Sequence, residues 1–262
     1  MAAVGRGDVV WITGGGTGIG LALALVFARR GAKVAVSGRR ADRLAAAVEA
    51  IAEAGGEGMA VGCDVTDEAA VADAVASITA RWGRLDVAIA NAGFGVSGRV
   101  AELTDADWRR QFDINVFGLV HTIRHALPAL TATGGRMVLV GSVAGFVFAP
   151  KNGAYNASKA AVRAIGETLA AELGGGPVTA TTIYPGFVES EIGQVDNAGV
   201  FDGSRKDRRP SAVMWTAPAA AAAMARGIDA RRREVVITGH GKLLVLLSRW
   251  VPGLVALLAR RV

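Results

Sequence analysis

Short β-rich runs alternate with longer, alanine-rich stretches of helical spacing along the 262 residues, and this alternation leaves few folds open. The runs are Val9–Thr13, Lys33–Ser37, Gly58–Asp64, Leu85–Ala90, Arg136–Gly141, Val178–Tyr184 and Glu234–Thr238. Between them, Gly18–Arg30, Arg40–Ala54, Asp67–Trp82, Asp105–Leu130 and Gly153–Leu173 have helical length and periodicity. The pattern predicts an α/β chain: a Rossmann-like, doubly wound parallel sheet of seven strands with helices on both faces. With 52% apolar residues, 35 glycines and no dividing linker, residues 1–238 are expected to share one domain, followed by a tail over 239–262. Ligands of such sheets collect at the carboxyl ends of the strands, so the residues just after each run are the candidates for function. One connection is long: 187–216 suits a lid over the substrate, or a plain surface excursion.

Directly after the first run stands Thr13–Gly20, TGGGTGIG, opening onto an apolar helix. Glycines there permit tight turning and close approach, and a helix N-terminus offers oriented N–H groups to a pyrophosphate. Gly14, Gly16, Thr17, Gly18, Ile19 and Gly20 are therefore candidates for holding a dinucleotide. A second signal is Tyr155 with Lys159, one helical turn apart and hence on one face. A free phenol titrates near ~10 and burial raises it, whereas a fixed ammonium nearby favours the phenolate. The pair reads as a proton donor tuned by its lysine. Many helices carry such a pair by chance, so its weight depends on the rest of the chain.

The spacing Gly14, Gly18, Gly20 departs from G-x-G-x-x-G and resembles the fingerprint of the short-chain dehydrogenase/reductase family, in its branch with TGxxxGxG and YxxxK motifs. Further matches run along nearly the whole chain. Asp64-Val65 looks like the family's adenine contact. Asn91-Ala92-Gly93 stands where the family lays backbone beside the cofactor, although Ala90 occupies a place often held by Asn. Asn115, a poor helix former inside a helical stretch, matches the residue behind a water relay to the catalytic lysine. Ser142 precedes Tyr155 by thirteen residues, as the family's serine does. Pro185, Gly186 and Val188 follow the sixth run, and Ser190 replaces the commoner threonine that holds the nicotinamide amide.

The resemblance implies an oxidoreductase interconverting a carbonyl and an alcohol. Tyr155 would be the general acid/base, Ser142 would hold the substrate oxygen, and Lys159 would lower the tyrosine pKa and bind the nicotinamide ribose, with Asn115 behind it. At the end of the second run NAD users place an acidic residue, but here Gly38 is followed by Arg39 and Arg40. Guanidinium groups suit a 2′-phosphate, so NADP (NADPH) is favoured over NAD. Thr17 departs from the basic residue that many NADP users carry in the glycine turn, and both arginines have a plainer reading as solvated helix-start charges. Competing readings are an acyl-chain 3-ketoreductase, a sugar-nucleotide epimerase and a non-catalytic dinucleotide sensor.

Net charge is +6, yet it resides in residues 231–262, which hold seven basic groups against Glu234. The balanced remainder argues against a nucleic-acid groove. Cys63 is alone, so neither a disulfide nor a thiolate metal site is expected, and a reducing cytoplasm fits. His121 and His125 share a helix face without a third ligand, so no metal is expected. Trp108 and Phe112 suit core or subunit contact; Phe94, Phe148 and Phe187 suit packing and substrate lining equally. The N-terminus runs through Arg6 and Asp8 into a strand, and no apolar run reaches the ~18 residues of a membrane span, so neither secretion nor insertion is expected. In the tail, Leu243, Leu246, Leu247 and Trp250 form an apolar stripe, and Leu254, Leu257 and Leu258 another, beside Lys242, Arg249, Arg260 and Arg261. Docking on the body or on a twin subunit is expected for it, with membrane-surface attachment as the alternative. Its length loosely resembles relatives that handle steroids or long-chain carbonyls, and so implies an apolar substrate. The family resemblance also implies a homodimer or homotetramer paired through 105–130 and 153–173.

Overall fold

The computed structural model describes residues 3–259 apart from 206, 208 and 210, and not the side chains of 254, 258 and 259. Seven strands form a single parallel sheet: β1 (Val9–Thr13), β2 (Lys33–Gly38), β3 (Glu57–Gly62), β4 (Val87–Ala90), β5 (Arg136–Val140), β6 (Thr179–Tyr184) and β7 (Glu234–Val236). Their order is β3-β2-β1-β4-β5-β6-β7, so the winding reverses between β1 and β4 and a crevice opens at the carboxyl ends of those two strands. The helices are α1 (Gly18–Ala28), α2 (Ala41–Glu53), α3 (Glu68–Trp82), α4 (Asp105–Phe112), α5 (Gly118–Thr133), α6 (Gly153–Glu172), α7 (Ala217–Asp229), α8 (Gly239–Trp250) and α9 (Pro252–Ala259). Among the described residues, no helix is long and apolar enough to cross a membrane.

All five residues of β1 are buried, as a central parallel strand covered on both faces requires. Alternate side chains serve opposite layers. Val10 and Ile12 join Leu23 and Phe27 of α1, Ile51 of α2 and Met224 of α7, while Val9 and Trp11 join Ile78 of α3, Leu130 of α5 and Val162 of α6. Each fully buried side chain of this kind contributes about 1.5–3 kcal/mol. Trp11 still finds a partner for its indole N–H, which donates to Ser37 Oγ at 3.0 Å.

One expectation is corrected and one is made more specific. The helix expected over 105–130 is interrupted: between α4 and α5 the backbone widens into a π turn over Asp113–Phe117. The cause lies in Asn115, whose carboxamide is turned inward and bonds the Phe94 backbone at both N–H and C=O, at 3.1 and 3.0 Å. In the tail, α8 does pack on the body, but of the stripe Leu243, Leu246, Leu247 and Trp250 only Leu247 is partly covered. α8 packs through Val245, against Val143, Phe146 and Tyr184, and leaves Leu243, Leu246 and Trp250 outward. Leu254 and Leu258 as side chains, and Arg260 and Arg261 altogether, lie outside the described residues.

Candidate active site

A cleft of about 660 Å³ lies at the crevice between β1 and β4. The turn after β1 shapes one end. Gly14 and Gly18 adopt φ of +64° and +55°, a region that side chains avoid. Gly20 has no room at all, because a β-carbon there would stand 2.4 Å from Gly14 O and 2.7 Å from Asn91 Nδ2. The turn is tied to the end of β4 by Thr13, whose Oγ1 accepts from the N–H groups of Asn91 and Ala92, each at 3.0 Å. Asn91 returns the tie, donating to Thr13 O at 2.9 Å and Gly14 O at 3.1 Å. The carboxamide of Asn91 is thereby used by the protein itself, and the 91–93 segment offers its backbone to the cleft.

At the other end, Ser142 follows β5 and caps a short 3₁₀ turn, its Oγ accepting from Ala144 N–H at 3.1 Å. Tyr155 and Lys159 occupy the first two turns of α6 and line the same wall. A hydrogen bond joins the side chains of Ser142 and Tyr155. Lys159 is buried and donates to Val140 O at 2.9 Å, with its Nζ 5.9 Å from the Tyr155 ring centroid. Asn115 stands behind the cleft: its Nδ2 also donates to Ser158 Oγ at 3.1 Å, and a β-carbon on Gly93 would lie 3.1 Å from its Oδ1 and 3.7 Å from Lys159 Nζ.

Two opposing influences act on the phenol and the ammonium of this wall. Burial pushes the Tyr155 hydroxyl above its ordinary value, with the Ser142 hydrogen bond and the Arg209 charge opposing it. Burial also lowers Lys159 to about 8. Burial thus works against charge on both groups, and the Ser142 hydrogen bond and the Arg209 charge work toward the phenolate.

The remaining expected residues fall where the strand ends place them. Gly14, Gly16, Thr17, Gly18, Ile19, Gly20, Arg39, Arg40, Asp64, Val65, Pro185, Gly186, Val188 and Ser190 all line the cleft. Of Phe94, Phe148 and Phe187, only Phe94 lines it; Phe148 is exposed, and Phe187 stacks on His240 at 5.5 Å. Cys63 also borders the cleft, its thiol pushed up to about 11 by burial and by the neighbouring Asp64 and Asp67 charges. His121 and His125 meet Glu68, which is also paired with Arg124.

Three charged lining residues, among others, escaped the sequence reading. Arg43 follows Arg39 and Arg40 at helical spacing, a signal that was available. Glu191 and Arg209 belong to the 187–216 excursion, where no periodicity assigns a face. Glu191 reaches across the cleft to Arg40 at 2.6 Å and Arg43 at 3.7 Å, while Arg39 stands 4.0 Å from Asp64. The arginines after β2 thus already face carboxylates. Arg209 donates to Val188 O and Ser190 O at 2.8 and 2.9 Å and is paired with Asp207 at 2.7 Å, which fixes the strip that carries Ser190.

A family model described as short chain dehydrogenase matches residues 8–200. The chain is 36% identical over 200 residues to a 3beta-hydroxysteroid dehydrogenase of Mediterraneibacter gnavus, an alignment covering 75% of this chain and 72% of that one. It is 38% identical over 190 residues to 11-beta-hydroxysteroid dehydrogenase 1A of Arabidopsis thaliana, covering 72% of this chain but only 54% of the longer relative. Among solved structures, a short chain dehydrogenase/reductase from Burkholderia phymatum in complex with NAD superposes with a TM-score of 0.86 at 28% identity, over 97% of this chain and 96% of that one. An alcohol dehydrogenase from Thermococcus sibiricus complexed with 5-hydroxy-NADP gives 0.77 at 28% identity, over 88% and 96%. With the sheet order, the glycine turn and the Ser142–Tyr155–Lys159 wall in place, these matches lead to one conclusion: the chain belongs to the short-chain dehydrogenase/reductase family of oxidoreductases.

Proposed function

We propose that the protein is an NADP-dependent oxidoreductase that interconverts an apolar carbonyl compound and its alcohol. The observation that carries this reading is the meeting of Ser142, Tyr155 and Lys159 on one wall of a cleft whose far end is a glycine-rich cradle. That cradle, at the N-terminus of α1, fits a pyrophosphate. A nicotinamide dinucleotide, when bound, supplies or accepts the hydride. The chain's own part is proton handling: Ser142 orients the substrate oxygen, and Tyr155 donates its proton to it during reduction and takes one back during oxidation. Lys159, braced by Val140 O, would bind the cofactor's ribose, with Asn115 setting the backbone around it.

NADP is supported by three guanidinium groups, Arg39, Arg40 and Arg43, around Gly38 at the end of β2. A 2′-phosphate would draw Arg40 and Arg43 away from Glu191. An apolar substrate is supported by Phe94, Ile192 and Val195 on the cleft wall and by the hydroxysteroid dehydrogenases among the relatives. The excursion over 187–216 contributes much of that wall, which supports its role as a lid. Half-exposed Phe117, between α4 and α5, supports pairing of subunits on that side.

The test uses purified protein with NADPH and NADH against steroid ketones, aromatic ketones and long aldehydes. Tyr155→Phe is expected to bind cofactor as the parent does and to lose about 10²–10⁴-fold in turnover, the range of a positioned general acid. Turnover near that of the parent in this variant, or no turnover of any carbonyl by the parent, overturns the proposal.

A further inference from the structure

α8 has two faces, and only one is used by the body of the protein. Val245 and Gly241 are buried against the Val143–Gly145 turn, Phe146 and Tyr184. On the outer side Leu243, Leu246 and Trp250 stand at i, i+3 and i+7, 56%, 55% and 79% exposed, and Val251 and Leu257 extend the exposed apolar surface toward α9. Leu243, Leu246 and Trp250 share one exposed helix face, and such an exposed apolar stripe marks an interaction face. Lys242 and Arg249, seven residues apart, run along one edge of the stripe; both are exposed, and Arg249 also reaches Glu234 at 3.2 Å. Residues 239–262 contain four Lys or Arg and no Asp or Glu.

We propose that this face seats on an anionic lipid bilayer, with Leu243, Leu246 and Trp250 entering the interface and Lys242 and Arg249 meeting the lipid phosphates. The charge pattern selects this occupant. Two copies joined by the same face would bring cation against cation with no carboxylate of α8 or α9 to offset them, whereas an anionic headgroup layer complements every charge the segment carries. The exposed indole suits the boundary between headgroups and acyl chains. The face is also coupled to the cleft. α8 begins one residue before His240, whose ring stacks on Phe187 and whose Nε2 accepts from Phe187 N–H at 3.1 Å, directly after the cleft-lining Pro185 and Gly186. Docking by α8 sets the cleft close to a phase in which apolar carbonyl compounds concentrate. The lipid contact itself is independent of the substrate assignment.

The experiment is sedimentation of the full chain with phosphatidylcholine vesicles and with equimolar phosphatidylcholine–phosphatidylglycerol vesicles, at low and high salt. Binding is expected to favour the anionic vesicles by at least tenfold and to weaken with salt, since each cation near an anionic surface is worth about fivefold in partition. A blue shift of tryptophan emission should accompany binding and disappear in Trp250→Phe. The double variant Leu246→Asp/Trp250→Asp should lose more than tenfold in partition, with an unchanged melting temperature and unchanged cofactor affinity, because both side chains are exposed. Failure of the parent to bind anionic vesicles, or equal binding by the double variant, overturns the proposal. So does a vesicle-independent dimer that the double variant abolishes, since the face would then belong to a second copy.

Discussion

The two ends of the cleft are held together by different physics. At the glycine turn, the shape is set by backbone sterics and by short ties between neighbouring strand ends, with Thr13 and Asn91 each bonding main-chain groups. Across the cleft, the 187–216 excursion is held by side-chain charge: Glu191 on Arg40 and Arg43, and Arg209 on Asp207 and two carbonyls. The first kind of order tolerates almost no substitution and is insensitive to salt. The second is partly exposed, exchangeable and open to competition by a ligand's own charge.

Gly20→Ala should break the first region outright. Its added carbon would meet backbone oxygen at 2.4 Å, and overpacking against atoms that cannot yield costs about 3 kcal/mol, read as a lower denaturation midpoint with weakened dinucleotide binding. Lys159, between the two regions, sharpens the comparison through pH. Its folded pKa, lowered to about 8 from 10.5, means that the unfolded chain binds more protons between those values. Its penalty is fully present below pH 8 and is relieved as pH rises toward 10. The parent should therefore gain about 1–2 kcal/mol relative to Lys159→Met between pH 8 and 9.5, measured by urea titration. Glu191→Gln removes the carboxylate that competes with a 2′-phosphate. NADP affinity should rise about threefold while NAD affinity stays put, as expected for one partly exposed ion pair. Smallest of all, Gly203→Ala on the excursion should change stability by less than about 0.5 kcal/mol, since its new carbon would meet only the Phe201 ring edge at 3.6 Å.

The same contrast explains what could be read from the chain before its coordinates. Strand ends were legible because β1 and its turn obey local rules: an unbroken apolar run, then glycines at positions that no other residue can occupy. Ser142, Tyr155 and Lys159 were legible from spacing, whereas their depth was not, because burial is a property of the assembled wall. Glu191 and Arg209 were invisible for a related reason: their partners lie 151 residues away in one case and along an irregular loop in the other. The tail's stripe was legible, but which of its residues meet the body was not. Hydrophobic periodicity identifies a helix face without saying what covers it, and here Val245 and Leu244 face the body while Leu243, Leu246 and Trp250 do not.

The π turn at Asp113–Phe117 has a consequence for how this helix tolerates change in length. One surplus residue inside an otherwise regular spiral offsets everything before it from everything after it by roughly 100° about the axis. Deleting a single residue there would heal the spiral, and healing is the harm: either Trp108 and Phe112 or Thr122 and Ile123 would rotate out of their seats, and the carboxamide that holds Phe94 would sweep away from it. A more regular helix would be the poorer one.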